Sequence, residues 1–275
     1  MGATDDPATV AFLQWALPRL GLQWKGYRKV RGTVRKRLAR RLRALGLTDL
    51  GAYRAYLDAH PEEWRTLESM CWIPISRFHR DRGVFERIRR DVLPALAEAA
   101  AREKRPVRIW SAGCASGEEP YTLAILWHFE IEPAHPGMQF ELLATDIDDH
   151  MIARAERGVY NEGSLRELPT HLRDRAFVRE PDGSMRIRDE LRRGIRFRRE
   201  DLRATMPEGP FDAILCRNLA FTYFDEPTQR RIAEDFIARL RCGGFLVVGC
   251  HEMLPCESQK IVRWAPSIYQ RRIPT

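Results

Sequence analysis

Between Val30 and Leu45 the apolar positions Val30, Val34, Leu38, Leu42 and Leu45 recur every three or four residues, the spacing of one helical face. The same pattern runs through the first hundred residues: an apolar run at 8–17, "LTDLGAYRAYLDAH" with Asp49 placed to cap, "PEEWRTLESMC" with Pro61 at a first-turn position, and "RGVFERIRRDVLPALAEAAARE". Residues 1–104 therefore predict helix after helix. From residue 105 the pattern changes. Short apolar runs (VRIW at 107–110, FELLATDI at 140–147, IRFRRED at 195–201, FDAILCRN at 211–218, GGFLVVGC at 243–250) alternate with helical segments near 118–129, 149–157 and 227–240. That alternation predicts an α/β fold with a doubly wound, Rossmann-like, mainly parallel sheet. "AFVREPDGSMRI" places Asp182-Gly183 between two extended pieces, which predicts a small β insert over about 176–193. The expected division is an all-α N-terminal domain over 1–82, a linker helix over 83–104 and the α/β domain over 105–275.

With 275 residues, 44% apolar and 31% charged, the composition is that of a globular protein with a substantial core. No stretch approaches the roughly 20 apolar residues of a membrane span. The N-terminus, MGATDDPATV, lacks a basic-then-apolar layout, so the chain reads as cytoplasmic with no membrane insertion. The cysteines (Cys71, Cys114, Cys216, Cys242, Cys250, Cys256) form no C-x-x-C pair and are expected to be reduced, buried thiols. Cys250, His251 and Cys256 come nearest to a cluster, and no metal site is expected from them. The net charge of +8 is uneven: Lys25 to Arg43 holds ten Lys or Arg and no acid. Those cations either form a solvated helix face or dock an acidic partner around Arg35–Arg43. No aromatic interleaving or binding motif favours nucleic acid.

In open α/β sheets a ligand lies beyond the carboxyl ends of the strands, near the reversal of strand order. The strand ends supply Gly113 to Glu119, Asp146, Asp201 and Arg217-Asn218. "SAGCASGEEPY" at 111–121 is a glycine turn without the lysine of a phosphate loop, and Glu118-Glu119 would repel a phosphate. Asp146, ending the second strand, is placed to accept ribose hydroxyls or to cap; Asp148 and Asp149 read as acids at a helix N-terminus. A ligand with adenosine, an ammonium and a sulfonium but no phosphate fits this set: S-adenosylmethionine, with S-adenosylhomocysteine as its product. Glu118 suits the cationic end, while Glu119 need only favour the helix dipole.

Taken in order, "ISRFHRDRGVFE", "WSAGCASGEEPYTLAI", "ATDIDDHMIARAERGVY", "PFDAILCRN…YFDEPTQRRI" and "LRCGGFLVVGCHE" resemble the motifs of the CheR-type methyltransferases. These are the S-adenosylmethionine-dependent O-methyltransferases of chemotaxis receptor glutamates, and the likeness spans essentially the whole chain. The resemblance implies cofactor contacts from Ser76 and Arg80 in the linker. Glu118 and the glycine loop, Gly113 included, would take the amino-acid end, and Asp146 the ribose. Asp201-Leu202 would lie beside the adenine, with Arg217 and Asn218 near the methionine moiety. Tyr223 would stand near the transferring methyl group, which makes Arg80, Arg217 and Tyr223 the candidate catalytic residues. The chain departs from the family pattern at Pro74, at Ser76 in a threonine position and at His79 in a phenylalanine position. It also departs in the spacing of "RNLAFTYF" and at Gly249-Cys250-His251-Glu252.

A glutamate acceptor, with a reference pKa of about 4.3, is ionised at neutral pH and needs no general base. Arg80 or Arg217 could orient it, unless Arg217 pairs with Glu118 or Glu119 and Tyr223 is a core aromatic. Three functions stay open: methylation of a receptor-like protein, methylation of a small molecule or peptide in which His79 and His251 would matter as bases, and cofactor sensing without turnover.

Overall fold

A computed structural model describes residues 6–255 and 258–273, so Cys256 lies outside the described residues. The chain forms two compact units: one holds residues up to Ile73 together with Thr222–Gln229, and the other holds Pro74–Phe221 and Arg230–Thr275.

The smaller unit contains α1 (Asp6–Ala16), α2 (Trp24–Tyr27), α3 (Arg31–Leu45), α4 (Leu50–Ala59) and α5 (Glu63–Cys71). Val34, Leu38 and Leu42 of the apolar stripe are buried. α3 stops at Gly46, whose φ of 67° lets its N–H return to the carbonyls of Leu42 and Arg43. Asp49 caps α4, accepting the Ala52 N–H at 2.9 Å. The cations of α3 do not form one uniform docking face. Arg41 forks onto the buried Glu63 at 2.6 and 2.9 Å, and Glu63 also accepts the Tyr53 hydroxyl at 2.7 Å. Arg37 donates to the carbonyls of Met70 and Trp72, the orphan acceptors at the end of α5. Arg31 pairs with Asp6 at 2.9 Å. Lys36, Arg40 and Arg43 are the exposed cations of α3, while Arg31, Arg35, Arg37 and Arg41 are half-buried.

The segment 222–229 is part of this unit. The Gln23 N–H donates to Tyr223 at 2.8 Å, the Asp225 N–H donates to Gly21 at 2.9 Å, and Leu22 bridges Phe224.

The larger unit is built on β1 (Val107–Ala112), β2 (Phe140–Asp146), β3 (Val159–Tyr160), β4 (Phe177–Arg179), β5 (Met185–Ile187), β6 (Ile195–Arg199), β7 (Phe211–Cys216), β8 (Leu240–Val248), β9 (Ile261–Ala265) and β10 (Ile268–Arg271). Seven strands share one sheet in the order β6-β2-β1-β7-β8-β10-β9. The first five are parallel, and β10 and β9 close the edge antiparallel. β7 is buried along its whole length and β1 almost so, which is why both read as continuous apolar runs. The edge strand β6 is half-exposed, and its arginines alternate accordingly.

Helices α6 (Arg82–Arg87), α7 (Leu93–Glu103), α8 (Glu118–Leu126), α9 (Asp149–Arg157) and α10 (Thr170–Ala176) precede α11 (Ala220–Tyr223) and α12 (Glu226–Arg239). A π turn at Ile88–Val92 separates α6 from α7, where Pro94 has no N–H to donate. Trp110 is buried against Phe236 of α12, ring centroids 5.2 Å apart, and its indole N–H donates to Thr145 at 3.0 Å. The small sheet, β3-β5-β4, is wider than the Asp182-Gly183 hairpin alone because Val159-Tyr160 adds a strand to it.

The hairpin β9–β10 carries no helical signal but two apolar-rich runs around Pro266-Ser267, with Ser267 at a φ of 65°. Cys71, Cys114 and Cys216 are buried, whereas Cys242 and Cys250 are exposed, contrary to the expectation for them. Among the described residues no group of His, Cys, Asp or Glu is arranged to hold a metal ion, and no helix is long and apolar enough to cross a membrane.

Candidate functional site

Strand order reverses between β1 and β7, so the carboxyl ends of β1, β2, β7 and β8 make a single rim. The turn after β1 is folded onto the end of β2. The N–H groups of Gly113 and Cys114 both donate to the Thr145 carbonyl, at 2.8 and 2.9 Å. Three residues of this turn take left-handed φ: Gly113 at 82°, Ala115 at 46° and Gly117 at 90°. A side chain at Gly117 would also meet Ala155 Cβ at 2.8 Å and the Tyr160 hydroxyl at 3.0 Å. The turn is therefore close-packed, with its backbone rather than long side chains at the surface of the rim.

Asp146 closes this corner. Its two oxygens accept the N–H groups of Ala115 and Asp148 at 2.8 and 3.0 Å. Burial outweighs those two donors and pushes the Asp146 carboxyl above its ordinary value. Each oxygen retains a lone pair, and further donors such as hydroxyls would favour the ionised form. Glu118 is buried at the first position of α8, with both oxygens 2.9 Å from the Ser116 hydroxyl.

At the end of β7, Arg217 is buried and bonded on three sides. It donates to Glu119 at 2.9 Å, to Asp81 at 2.8 Å and to the Arg80 carbonyl at 2.5 Å, and it lies 4.8 Å over the Phe85 ring. Glu119 also accepts the Ser111 hydroxyl at 2.8 Å. It is thus a structural anion in a buried network and more than a complement to the helix dipole. Burial opposes the charge of Asp81, but Arg217 and Asn218 more than offset it and hold that carboxyl below its ordinary range. Arg217 pairs with two carboxylates, so its guanidinium is held within the protein's own network. Asn218 follows with φ 57°, its amide 3.5 Å from Asp81.

The linker before α6 is fastened to this rim. The Phe78 ring packs edge-on against Tyr160 and Phe177, with centroids 4.8 and 5.1 Å away. The His79 N–H donates to the Thr122 hydroxyl at 3.1 Å, and the Thr122 hydroxyl donates to the Glu118 carbonyl at 2.6 Å. His79 itself is buried and stacks on Phe85. Burial, then the charge of Arg82, push its imidazole down to about 4. It is neutral and sealed, unsuited to serve as a base.

A family model described as "CheR methyltransferase, SAM binding domain" matches residues 75–268, and one described as "CheR methyltransferase, all-alpha domain" matches residues 12–69. The chain belongs to the CheR methyltransferase family. Relatives named "Chemotaxis protein methyltransferase" include that of Escherichia coli, 36% identical over 230 residues, covering 81% of this chain and 76% of that protein. "Chemotaxis protein methyltransferase 2" of Pseudomonas aeruginosa is 36% identical over 227 residues, covering 80% of this chain and 77% of that one. This CheR protein is an S-adenosylmethionine-dependent methyltransferase with a Rossmann-like sheet. The rim fits that cofactor: buried or half-buried carboxylates at Glu118 and Asp146, a tight glycine turn, and no lysine for a phosphate.

Of the residues singled out from the CheR motifs, Arg80, Arg217 and Asn218 converge in one network, and Gly113 and Asp146 in a second. Asp201, after β6, holds the Arg203 N–H and guanidinium at 2.9–3.0 Å. Burial raises its pKa, yet Arg203 overrides this and holds the carboxyl below its ordinary value. Leu202 beside it is buried, and Ser76 is half-exposed. Tyr223 lies in the smaller unit, its ring 5.0 Å from Tyr27, as a packed aromatic. Asp81 is not among the residues singled out from the motifs; Glu119 is, as one alternative partner of Arg217, and Glu252 only as part of a departure from the family pattern. Asp81 follows Arg80 directly and Glu252 ends the Gly249-to-Glu252 motif, so the signal for each was an acid next to a residue already singled out.

Proposed function

We propose that this CheR protein O-methylates glutamate side chains on an acidic, helical, chemoreceptor-like protein. The observation that carries this is the fate of the candidate bases and cations at the rim. His79 is sealed and held neutral, and Arg217 is consumed by Asp81 and Glu119. A rim without a poised base suits an acceptor that arrives already ionised, as a carboxylate does and an amine or alcohol does not.

Bound S-adenosylmethionine supplies a methyl group made electrophilic by its sulfonium. Asp146 would take the ribose hydroxyls, Glu118 with the Gly113–Gly117 turn the amino-acid end, and Asp201-Leu202 the adenine side. Asn218 and Ser76 would complete the cofactor contacts. Arg80 donates to the Ile75 carbonyl at 2.5 Å but is only half-buried, which leaves it the better guanidinium to meet an incoming carboxylate. Tyr223 retains a role only through its hydroxyl, because its ring is occupied in packing. The exposed cations Lys36, Arg40 and Arg43 of α3 would steer the acidic helices of the acceptor, while Arg37 and Arg41 hold α5 in place.

Supplying methyl-labelled cofactor to a cell extract and then treating with mild base tests this. Base-labile label on a protein band is expected, as a glutamyl ester requires. Base-stable label, or label confined to small molecules, moves the acceptor to another chemistry. Cofactor binding without any label identifies a sensor. Reversing charge at Lys36, Arg40 and Arg43 together should slow labelling of the protein at least tenfold while cofactor binding is kept.

A further inference from the structure

Glu252 stands apart from the proposed cofactor contacts, yet one of its oxygens ties two strand ends together. Oε2 accepts the Asn218 N–H and the Gly249 N–H, each at 2.7 Å. Asn218 lies two residues past β7 and Gly249 directly follows β8, the two parallel strands on the far side of the reversal point. The carboxylate is buried. Gly249 is fixed from its other side too, because the buried Ser267 hydroxyl donates to its carbonyl at 3.2 Å. The fit around that oxygen leaves no room. A Cβ at Gly249 would sit 2.7 Å from Glu252 Oε2 and 2.8 Å from Asn218 Oδ1.

Asn218 gains most from this anchor. Its φ of 57° is left-handed, a conformation asparagine tolerates better than most side chains but which still has to be held against the extended and helical alternatives. The short hydrogen bond from its N–H to Glu252 Oε2 imposes it here. The conformation sets the direction of the Asn218 amide toward Asp81 and places the residue directly after Arg217 on the rim.

We infer that Glu252 is a positioning residue for the methyl-donor site: it holds Asn218 in the left-handed conformation from which its amide serves the cofactor. This rests on Asn218 belonging to the cofactor site. It predicts that Glu252 acts through Asn218, with the acceptor oxygen, not the negative charge, as the main requirement.

Calorimetric titration of the purified full chain with S-adenosylmethionine tests it. Glu252→Ala and Asn218→Ala should each weaken binding at least tenfold. The double variant should be no weaker than either alone, and Glu252→Gln, which keeps the acceptor, should bind within about threefold of the native protein. Native-like binding by Glu252→Ala overturns the inference. So do multiplying losses in the double variant, or equal losses for Gln and Ala. If Asn218→Ala alone binds normally, the placement of Asn218 in the cofactor site is wrong, and no loss at Glu252 can run through it. Should Glu252→Ala fail to fold, Glu252→Asp, which withdraws the carboxylate by one methylene, takes its place: a tenfold loss that disappears in the Asn218→Ala background supports the inference, and native-like binding rejects it.

Discussion

Replacing His79 by phenylalanine should raise stability and erase a pH dependence. The His79 ring is 2% exposed, its Nδ1 has no hydrogen-bond partner, and it stacks on Phe85 at 5.4 Å with an interplanar angle of 22°. Arg82, Arg217 and Arg89 oppose its protonation and Glu86 favours it, but burial is the largest influence, and the pKa falls from 6.5 to about 4. Below pH 6.5 the unfolded chain takes up a proton that the folded chain refuses, so stability falls as pH drops from 6.5 to 4 and is flat on either side. At 1.36 kcal/mol per unit the full loss is at most about 3 kcal/mol, of which about 2 has appeared by pH 5. Near pH 7.5 the unmet ring nitrogen costs a further ~1–3 kcal/mol that phenylalanine avoids. The left-handed φ of 58° is common to both side chains and cancels to first order. Urea unfolding followed by circular dichroism near pH 7.5 and pH 5 should show the variant ahead by about 1–2 kcal/mol at the higher pH and by about 2 more at the lower. An equal gap at both pH values, or an imidazole that titrates near 6.5 by NMR in the folded protein, refutes the reasoning.

Glu119→Ala strips a charge-assisted bond from the buried Arg217 and leaves the buried Ser111 hydroxyl unmet. Denaturant unfolding should show a loss of about 3 kcal/mol, with Glu119→Gln costing less than half of that, whereas a loss below about 1 kcal/mol would put the pair on a par with surface ion pairs. Asp146→Ala should weaken S-adenosylmethionine binding at least tenfold by calorimetry while the circular dichroism spectrum stays native, two charged hydrogen bonds being worth ~1.5–3 kcal/mol each. Asp49→Ala removes the cap of α4 and should cost the helical unit about 1 kcal/mol in thermal or urea unfolding; a cost near zero would mean that water replaces the cap.

The alternation of apolar runs with helical periods exposed the parallel part of the sheet because β1 and β7 are buried on both faces and must be apolar throughout. It passed over β9 and β10, whose half-exposed residues dilute the signal. Periodicity marked the buried face of α3, but it is blind to partners. Arg37 and Arg41 look identical in sequence to Arg40, and only the ends of α5 distinguish them. At the rim, the glycine turn and Asp146 were legible because backbone geometry and strand ends leave local marks. The pairing of Arg217 with Glu119 was one alternative left open by the sequence, whereas its second partner, Asp81, lies 136 residues away and no local pattern contains it. The packing of Tyr223 against Tyr27 spans 196 residues and is likewise absent from any local pattern.

That separation bears on modularity. The helical unit is not a contiguous piece of chain, since it is finished by the eight residues of Thr222–Gln229, which arrive more than a hundred residues after Ile73. A fragment cut at Ile73 leaves the Gln23 N–H, the Gly21 carbonyl and the Tyr27 ring without their partners. Exchanging N-termini between such enzymes would therefore pair one protein's helices with another's strip, so the strip from 222 to 229 is the segment to move with them.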